Sequence, residues 1–459
     1  MNSDIRVEKI NLEYKSYDLR VPLKFGSVVV RESTSLIARV FVENKAGESS
    51  EGVGAMPFVC EWAFPSPKVE YEAKLEAMKR VAEVFSKEVE SKGKDGKYRH
   101  PIDLFMELEE KIPLIAKQVS NEMKIKEDLP VLAALVAVSP IDAAIHDAFG
   151  KVNNICSYDG YGPKYMDHDL SMYLGPKFKG KYVSDYIRRK YNPRLPIFHL
   201  VGGLDKLTKD EVGPEDPKDG LPVSLDEWIR RDGIFCFKIK LRGNDIDWDV
   251  QRTKAVTEVI MSVLKEQGKN EFYLSVDSNE MHKSPDDVLE YLIRVKREVP
   301  EAFERILYVE QPVSRDLSKY MLNMKPVSEV KPVLADEAVT DIKSMDLALS
   351  LGWSGVALKT CKCHTSALLM VAKAEEMGIP YSVQDLTCPG LALVHSAGFA
   401  ARINPIKGFE YNARQYLPFA FPEIQDKYPE IFKVKDGFIK TDCLNNTMGL
   451  GLKLSLTKY

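Results

Sequence analysis

The pattern of apolar and polar positions divides the chain into two regions. In the first region, Ile5 to Tyr14 and Ser35 to Glu43 alternate or carry β-branched residues, as the strands of a sheet do. Helical spacing follows over three further segments, 69–90, 100–123 and the apolar stretch 131–149. Strands followed by helices predict an α+β domain over residues 1–150.

In the second region, from about residue 195, short apolar runs alternate with amphipathic helical stretches, which is the pattern of βα units. The predicted strands are Ile197–Val201, Phe235–Leu241, Phe272–Val276, Ile306–Val309, Val333–Ala335, Gly355–Leu358, Pro380–Val383 and about Gly408–Tyr411. Helices are predicted between them, for example over 246–266 and 285–299. An open doubly wound sheet also fits the local pattern, but eight runs favour a closed (β/α) barrel over residues 195–412.

The remaining segments have little periodicity. Residues 151–195 are predicted to form a connection or insertion, and residues 203–224 another. The tail, residues 413–459, is predicted to return to the N-terminal domain. The chain is therefore predicted to be an α/β protein with a barrel domain and a smaller α+β domain.

Composition narrows the choice of partner. The 459 residues include 64 basic and 68 acidic side chains, mixed along the chain, for a formal charge of −4. This balance excludes the positive field that binding to nucleic acid or an anionic membrane requires, so a small molecule is the expected partner.

Seven unevenly spaced cysteines form no disulfide framework, so we expect a reducing cytoplasm. The chain begins without a signal-peptide pattern, and its most apolar run, Val131 to Val138, is too short to span a bilayer.

Charged residues follow the C-terminal ends of most predicted barrel strands. In strand order, from the second run to the eighth, they are Lys238 and Lys240, Asp277 with Asn279 beyond it, Glu310, Asp336 with Glu337, Lys359, Asp385 and Glu410. The active sites of such barrels lie at that face, so we expect these side chains to converge on one pocket.

The converging residues suit one kind of chemistry. Three carboxylates, Asp277, Glu310 and Asp336, offer the hard oxygen ligands that Mg²⁺ prefers. Lys238 and Lys240 point to the same face of a strand, and repulsion between two ammonium groups is expected to lower a lysine pKa and supply a base. Lys359 would approach from the other side. A metal ion flanked by two bases suits removal of a proton α to a carboxylate.

This pattern resembles the enolase superfamily, in particular its muconate-lactonising-enzyme and mandelate-racemase-like members with two catalytic lysines. The resemblance rests on the strand-end residues in their order, including Glu310-Gln311-Pro312, and on the stretch from Ala143 to Lys151, which is similar to the family's helix before the barrel. It implies a modified, TIM-like barrel of the enolase type with an α+β capping domain that selects the substrate. The loops near Leu19–Gly26 and Glu51–Trp62 would make that selection.

The resemblance also implies roles for the residues. Asp277, Glu310 and Asp336 would be ligands of Mg²⁺. Lys240 and Lys359 would be the opposing acid/base pair, with Lys238 assisting Lys240, and the reaction would pass through an enediolate. Members of this family often assemble, so a homo-oligomer is possible.

Three features depart from the family pattern. Dipeptide epimerases of this branch carry Asp-x-Asp on the last strand, whereas this chain has Glu410-Tyr411-Asn412. Mandelate racemases would have a His after the seventh strand and an Asp on the sixth, whereas Asp385 and Lys359 stand here. The Gly-rich turn after the sixth strand is replaced by residues 360–364. The first departure argues against a dipeptide epimerase, and the second favours the two-lysine branch.

Several assignments keep alternatives. Glu337 competes with Asp336 as third ligand, and Lys362 competes with Lys359 as base. Asp385 and Glu410 either orient the lysines or contact substrate, and Asn279 is expected to support the ligands rather than bind metal. Other candidate groups are weak: Cys361, Cys363 and His364 lack a fourth zinc ligand, and His199 is expected to be packed or solvated.

The predicted activity is that of a racemase, epimerase or cycloisomerase acting on a small carboxylate. A lyase that dehydrates a hydroxy acid or acid sugar on the same scaffold is the alternative, and a non-catalytic binding protein is a third. The sequence does not name the substrate.

Overall fold

A computed structural model of the protein describes residues 1–25 and 28–451. Its strands are β1 (Ile5–Phe25), β2 (Val28–Asn44), β3 (Ser49–Phe58), β4 (Arg194–Val201), β5 (Cys236–Lys240), β6 (Tyr273–Asp277), β7 (Ile306–Glu310), β8 (Val333–Ala335), β9 (Gly355–Leu358), β10 (Tyr381–Val383), β11 (Phe409–Glu410) and β12 (Phe438–Lys440). The N-terminal helices are α1 (Cys60–Ala63), α2 (Tyr71–Gly93), α3 (Pro101–Glu109), α4 (Lys111–Glu122), α5 (Val131–Val152) and α6 (Ser171–Leu174).

The barrel region and tail contribute the remaining helices. They are α7 (Leu225–Asp232), α8 (Ile246–Glu266), α9 (Pro285–Glu298), α10 (Pro300–Arg305), α11 (Leu317–Tyr320), α12 (Lys325–Ser328), α13 (Ile342–Ser350), α14 (His364–Met377), α15 (Gly390–Arg402), α16 (Ala413–Tyr416), α17 (Pro422–Lys427) and α18 (Pro429–Phe432).

The N-terminal domain is an antiparallel sheet, ordered β1-β2-β3, packed against helices. Helix α5 lies directly on β3 because that strand has no side chain at two positions. A Cβ atom on Gly52 would lie 2.1 Å from the backbone oxygen of Ala144, and one on Gly54 would lie 2.1 Å from that of Pro140. The two glycines therefore set the distance between the sheet and its main helix.

Helix α5 is the core helix of this domain. Its 22 residues are long and apolar enough to cross a membrane by length and composition, but 94% of its most apolar window is buried inside the protein. The helix passes through Pro140, in agreement with the helix predicted over 131–149. A proline leaves the carbonyl four residues earlier without its usual donor. Here the Ser139 hydroxyl donates to that carbonyl, Val136 O, at 3.0 Å, so the helix continues.

The eight strands β4 to β11 form a closed parallel barrel. Each strand pairs with the next along the chain, and β11 also pairs with β4, so the sheet has no free edge among these eight strands. This closure confirms the predicted barrel and excludes the open sheet. Strand β12 adds antiparallel to the start of β4, with Ile439 opposite Leu195.

Three predicted segments differ in the structure. The single helix expected over 100–123 is two helices, because Pro113 cannot donate a hydrogen bond to Glu109 and its ring would clash there. The loop expected at Leu19–Gly26 is mostly strand: β1 continues to Phe25, and Gly26 lies outside the described residues. Likewise most of Glu51–Trp62 belongs to β3, and only its end enters α1.

The insertion and the tail both contact the N-terminal domain. Arg20 of the β1–β2 hairpin pairs with Asp219 at 2.6 Å and also donates to the carbonyl of Pro222. At the far end of the described chain, the backbone N–H of Leu450 donates to Asp147 on α5 at 2.9 Å. The domain that would cap the barrel is therefore attached to it at several points.

Candidate active site

Strand register places the predicted charged residues side by side. Lys240 on β5 is the partner of Asp277 on β6, which in turn is the partner of Glu310 on β7. Asp336 directly follows β8, and Lys359 directly follows β9. We call the buried acids and lysines at this end of the barrel the strand-end cluster: Lys238, Lys240, Asp277, Glu310, Asp336, Glu337, Lys359, Lys362, Asp385 and Glu410. None of these residues is more than 8% exposed.

Lys238 lies at the centre of the cluster. Its Nζ is 2.7 Å from Glu310 Oε1, 3.0 Å from Asp277 Oδ2 and 3.1 Å from Glu410 Oε2. It also donates to Gln384 Oε1 at 2.9 Å. One ammonium group thus joins carboxylates from three strands.

Lys240 and Asn279 form the next part of the site. Lys240 Nζ donates to Asp277 Oδ2 at 2.5 Å and to Asn279 Oδ1 at 2.7 Å. The amide nitrogen of Asn279 donates to Glu337 Oε1 at 3.1 Å. Asn279 therefore connects a lysine to a carboxylate of the cluster, consistent with the supporting role expected for it.

Two lysines from the opposite wall share Asp336. Lys359 Nζ is 2.6 Å from Asp336 Oδ2, and Lys362 Nζ is 3.0 Å from Asp336 Oδ1. Lys359 also lies over the ring of Trp62, with Nζ 4.4 Å from its centroid. Lys359 lines the cavity described below, whereas Lys362 does not, and this difference favours Lys359 as the reacting group.

Trp62, on α1 of the N-terminal domain, contacts residues of the strand-end cluster. Its indole N–H donates to Glu337 Oε1 at 2.7 Å, and the ring covers Lys359. The carbonyl of Trp62 accepts a hydrogen bond from Arg315, which is itself paired with Glu280. Glu337 is therefore engaged by the cap, whereas Asp336 faces the lysines.

Asp385 and Glu410 have different environments. Asp385 accepts hydrogen bonds from the backbone N–H groups of Cys388 at 2.6 Å and Asn412 at 2.7 Å, so it holds two loops together. Burial raises the pKa of Asp385 to about 6. Glu410 pairs with Lys238 and accepts from the Asn412 side chain at 2.5 Å. Of the two, Glu410 orients a lysine, as one of the predicted alternatives had it.

The expected lowering of a lysine pKa is wrong for Lys238. Burial alone would lower its pKa, but Glu310, Glu410 and Asp277 outweigh burial and raise the pKa well above the ordinary value. Asp277 Oδ2 contacts both Lys238 and Lys240, so a carboxylate separates the two ammonium groups. The same balance raises the pKa of Lys359, where Asp336 outweighs burial.

Some carboxyl groups of the cluster lack sufficient positive charge nearby. Burial, together with the neighbouring Asp277 and Asp336, outweighs Lys238 and raises the pKa of Glu310 to about 8. Burial and Asp336 raise the pKa of Glu337 to about 7. Glu310 Oε2 and Glu337 Oε2 are buried without a hydrogen-bond partner in the described structure.

These observations test whether the predicted ligands fit a divalent cation. Within residues 1–25 and 28–451, no group of three or more His, Cys, Asp or Glu side chains is arranged to hold a metal ion. Lysine ammonium groups instead contact the oxygens of Asp277, Glu310 and Asp336. The donor chemistry nevertheless fits. Six carboxyl groups of the cluster face four lysines, so two negative charges stay uncompensated at full ionisation, and Glu310 keeps a free oxygen.

A cavity of about 40 Å³ lies at the mouth of the barrel, above the cluster. Charged walls come from Lys238, Lys240, Lys359, Asp385 and Glu410, and apolar walls from the cap and neighbouring loops. The cap contributes Leu23, Val59 and Trp62. The volume is that of one or two water molecules, so the cap closely covers the lysines.

Sequence reasoning missed two contacts of the strand-end cluster. It did not find Trp62 as a direct partner of Glu337, or Gln384 as a partner of Lys238. The only available signal for Gln384 was its place at the end of a strand. His199 is buried and contacts Arg414 outside the cluster, as a packed histidine would. Cys361, Cys363 and His364 belong to no metal-holding group among the residues with described positions.

Comparison with known proteins decides the family. The family model described as enolase C-terminal domain-like matches residues 222–458, which is just over half of the chain and includes seven of the eight barrel strands. The chain belongs to the enolase C-terminal domain-like family. No curated protein matches this enolase C-terminal domain-like chain.

Solved structures show the same fold over nearly the whole chain. A dipeptide epimerase from Enterococcus faecalis, complexed with Mg and L-Leu-L-Tyr, is 17% identical, with a TM-score of 0.60 over 97% of this chain and 99% of that one. A muconate lactonizing enzyme from Mycobacterium smegmatis, complexed with muconolactone, is 16% identical, with a TM-score of 0.61 over 98% and 97%. An N-succinyl Arg/Lys racemase from Bacillus cereus is 19% identical, with a TM-score of 0.59 over 98% and 96%. The match includes the N-terminal domain, so the cap and barrel together are the shared architecture.

Proposed function

We propose that this enolase C-terminal domain-like protein is a Mg²⁺-dependent isomerase of the two-lysine type. It would be a racemase, epimerase or cycloisomerase that removes and returns a proton α to the carboxylate of a small substrate. The structural neighbours bear the names of an epimerase, a lactonizing enzyme and a racemase, and one of them contains Mg. Those names support the reaction class and leave the substrate open.

The observation that carries the proposal is the placement of Lys240 and Lys359 on opposite walls. Lys240 ends β5, and Lys359 follows β9, which is four strands further round a barrel of eight. Both side chains line the same cavity. The cavity as it stands has room for one or two water molecules, so a substrate would enter only when the cap moves away; held between the two lysines, it would present one face of its α-carbon to each. One lysine can then take the proton and the other can return one from the opposite side, which inverts the centre.

The remaining residues hold this arrangement. Asp277, Glu310 and Asp336 would hold Mg²⁺, which when bound supplies positive charge where the deprotonated substrate carboxylate gains negative charge. Lys238 positions Glu310 and Glu410 through contacts of 2.7 and 3.1 Å. Trp62 and the apolar cap residues exclude water from the lysines, which strengthens the electrostatic interactions between them and a substrate.

Solvent exchange tests the proposal. The full chain with Mg²⁺ is incubated in D₂O with single enantiomers from a library of N-acyl amino acids, dipeptides and sugar acids. Loss of the α-proton signal by NMR, with a mass increase of about one unit, identifies a substrate. We expect Lys240→Ala and Lys359→Ala each to abolish inversion, while each variant still exchanges the α-proton of only one enantiomer, because one base remains for one face.

The matched control is Lys373→Ala, a buried lysine on α14 that pairs with Asp346 and does not line the cavity. It should exchange and invert like the unaltered protein. Absence of exchange with every acid would contradict the isomerase proposal, as would exchange that survives in both enantiomers after either substitution. Formation of a keto acid would instead identify a dehydrating lyase.

A further inference from the structure

A second, larger cavity lies between α7 and the segment that follows β11. Its volume is about 400 Å³, within the range of small-molecule sites. It shares no lining residue with the cavity above the strand-end cluster. Glu410 and Asn412 line the smaller cavity, whereas the alternate residues Tyr411 and Ala413 line the larger one, so the chain after β11 separates the two.

One side of the larger cavity carries an excess of positive charge. We call Trp228, Arg231, Asp232 and Arg414 the arginine cluster. Asp232 lies between two guanidinium groups, one of Arg414 in direct contact and one of Arg231 with Nε at 3.6 Å. A single carboxylate thus faces two cations. Lys433 adds a third cation at the same cavity and has no ion pair within the described part of the chain.

The two arginines differ in exposure and in the number of their contacts. Arg414 is 7% exposed and fixed, because it donates to both Asp232 and His199. Its guanidinium lies 4.6 Å from the centre of the Trp228 ring. Arg231 lies 5.6 Å from the same ring, and its side chain is 46% exposed. The cavity therefore has one fixed cation and one that can adjust to an anion.

The cavity is also lined by apolar and aromatic side chains. Its residues are Leu221, Tyr411, Leu417, Phe419, Ala420 and Phe432. Phe419 is 62% exposed, so its ring is accessible to a ligand. A ligand that matches both sets of residues has a negative group and a flat apolar body.

We propose that this cavity is a binding site for a small aromatic carboxylate, held by Arg231 and Arg414 at its charged end and by Tyr411 and Phe419 along its ring. The site is separate from the strand-end cluster, and the inference does not depend on the proposed isomerase activity. Stacking of both guanidinium groups on Trp228 gives the site an internal optical probe, because a bound ring changes the surroundings of that indole.

Titration calorimetry and tryptophan fluorescence on the full chain test this site with naphthalene-2-carboxylate. The neutral naphthalene-2-carboxamide is the matched ligand. We expect one saturable site for the carboxylate and at least about tenfold weaker binding of the amide, since a lost charge pair of about 1.4 kcal/mol corresponds to that factor. Arg231→Gln should weaken carboxylate binding about tenfold, and Ala420→Trp, which fills the cavity, should remove it.

The control substitution is Arg242→Gln. Arg242 stacks on Trp248 at 4.2 Å and is 48% exposed, so it matches Arg231 in surroundings but does not line the cavity. It should leave carboxylate binding unchanged, and so should Lys240→Ala. Equal weakening by Arg242→Gln, equal affinity for the amide, or loss of binding in Lys240→Ala would each overturn the proposal, the last by placing the probe at the strand-end cluster.

Discussion

Replacing Lys238 by methionine tests whether the strand-end cluster depends on its central cation. Methionine keeps an unbranched side chain of similar length but removes the ammonium group. Asp277, Glu310 and Glu410, whose oxygens lie 2.7–3.1 Å from Nζ, then lose their shared partner. All three stay buried, so water cannot replace the lost contacts.

The magnitude follows from the number and length of these contacts. At an effective dielectric constant of about 20, one charge pair about 3 Å apart contributes roughly 5 kcal/mol. The cost of removing the ammonium group from water offsets part of the total from its three contacts. Removing one partner of a buried pair typically costs about 3–5 kcal/mol. We therefore expect Lys238→Met to reduce the free energy of unfolding by about 3–5 kcal/mol at pH 7.5, a large share of the usual total of about 5–15.

The loss depends on pH in a defined direction. Burial already raises the pKa of Glu310 to about 8, above its value in an unfolded chain, and removal of Lys238 raises it further. A carboxyl group with a raised folded pKa binds more protons in the folded state than in the unfolded state. Stability then falls as pH rises, and because the folded pKa of Glu310 is already about 8, the variant and the unaltered chain diverge above that pH, so the destabilisation should be larger at pH 9 than at pH 7.5.

Urea denaturation followed by circular dichroism at both pH values measures the effect. The double variant Lys238→Met/Glu410→Gln should regain about 1–2 kcal/mol relative to Lys238→Met, because it removes one unpaired acid. Lys373→Met is the control, since its ammonium has one carboxylate partner, Asp346, which is 55% exposed. A loss in Lys238→Met that is independent of pH, or a double variant less stable than the single one, would refute the reasoning.

Three further predictions concern metal binding, acid stability and packing. Asp336→Asn should abolish both Mg²⁺ binding, measured by calorimetry, and inversion of substrate. The control Asp346→Asn, at an exposed ion pair, should preserve both. Equal Mg²⁺ affinity in the two variants would contradict the ligand assignment. Burial lowers the pKa of His395 to about 4, so the folded state holds its imidazole neutral. The free energy of unfolding should therefore fall by up to about 3 kcal/mol as pH drops from about 6.5 to 4. Melting curves of His395→Gln should show a shallower fall over the same pH range. Gly54→Ala should cost about 1–3 kcal/mol or more, because the new methyl group would meet a backbone oxygen 2.1 Å away, whereas Gly203→Ala, with nothing within 4 Å, should melt like the unaltered chain.

The location of each charged residue at the end of a barrel strand was predictable from the local hydrophobic pattern. Apolar runs of four to eight residues predict buried parallel strands, and in a parallel barrel the residue that ends such a run lies at the active face. The runs ending at Asp277 and Glu310 became strands β6 and β7 with those residues in register. Closure of the barrel followed from the number of runs.

The interactions of these residues were not predictable in the same way. Trp62 contacts Glu337, 275 positions away, through a cap whose docking no local periodicity encodes. The same holds for Gln384, which meets Lys238 across the barrel interior.

The direction of the Lys238 pKa shift is a property that the local sequence suggests wrongly and the tertiary structure decides. The sequence places Lys238 and Lys240 two residues apart, which by itself suggests repulsion. The tertiary structure decides otherwise, because barrel closure brings carboxylates from three other strands to within 3.1 Å of Lys238. Local periodicity determines which side of a strand a residue occupies, whereas charge state in a buried site depends on every group that folding brings near it.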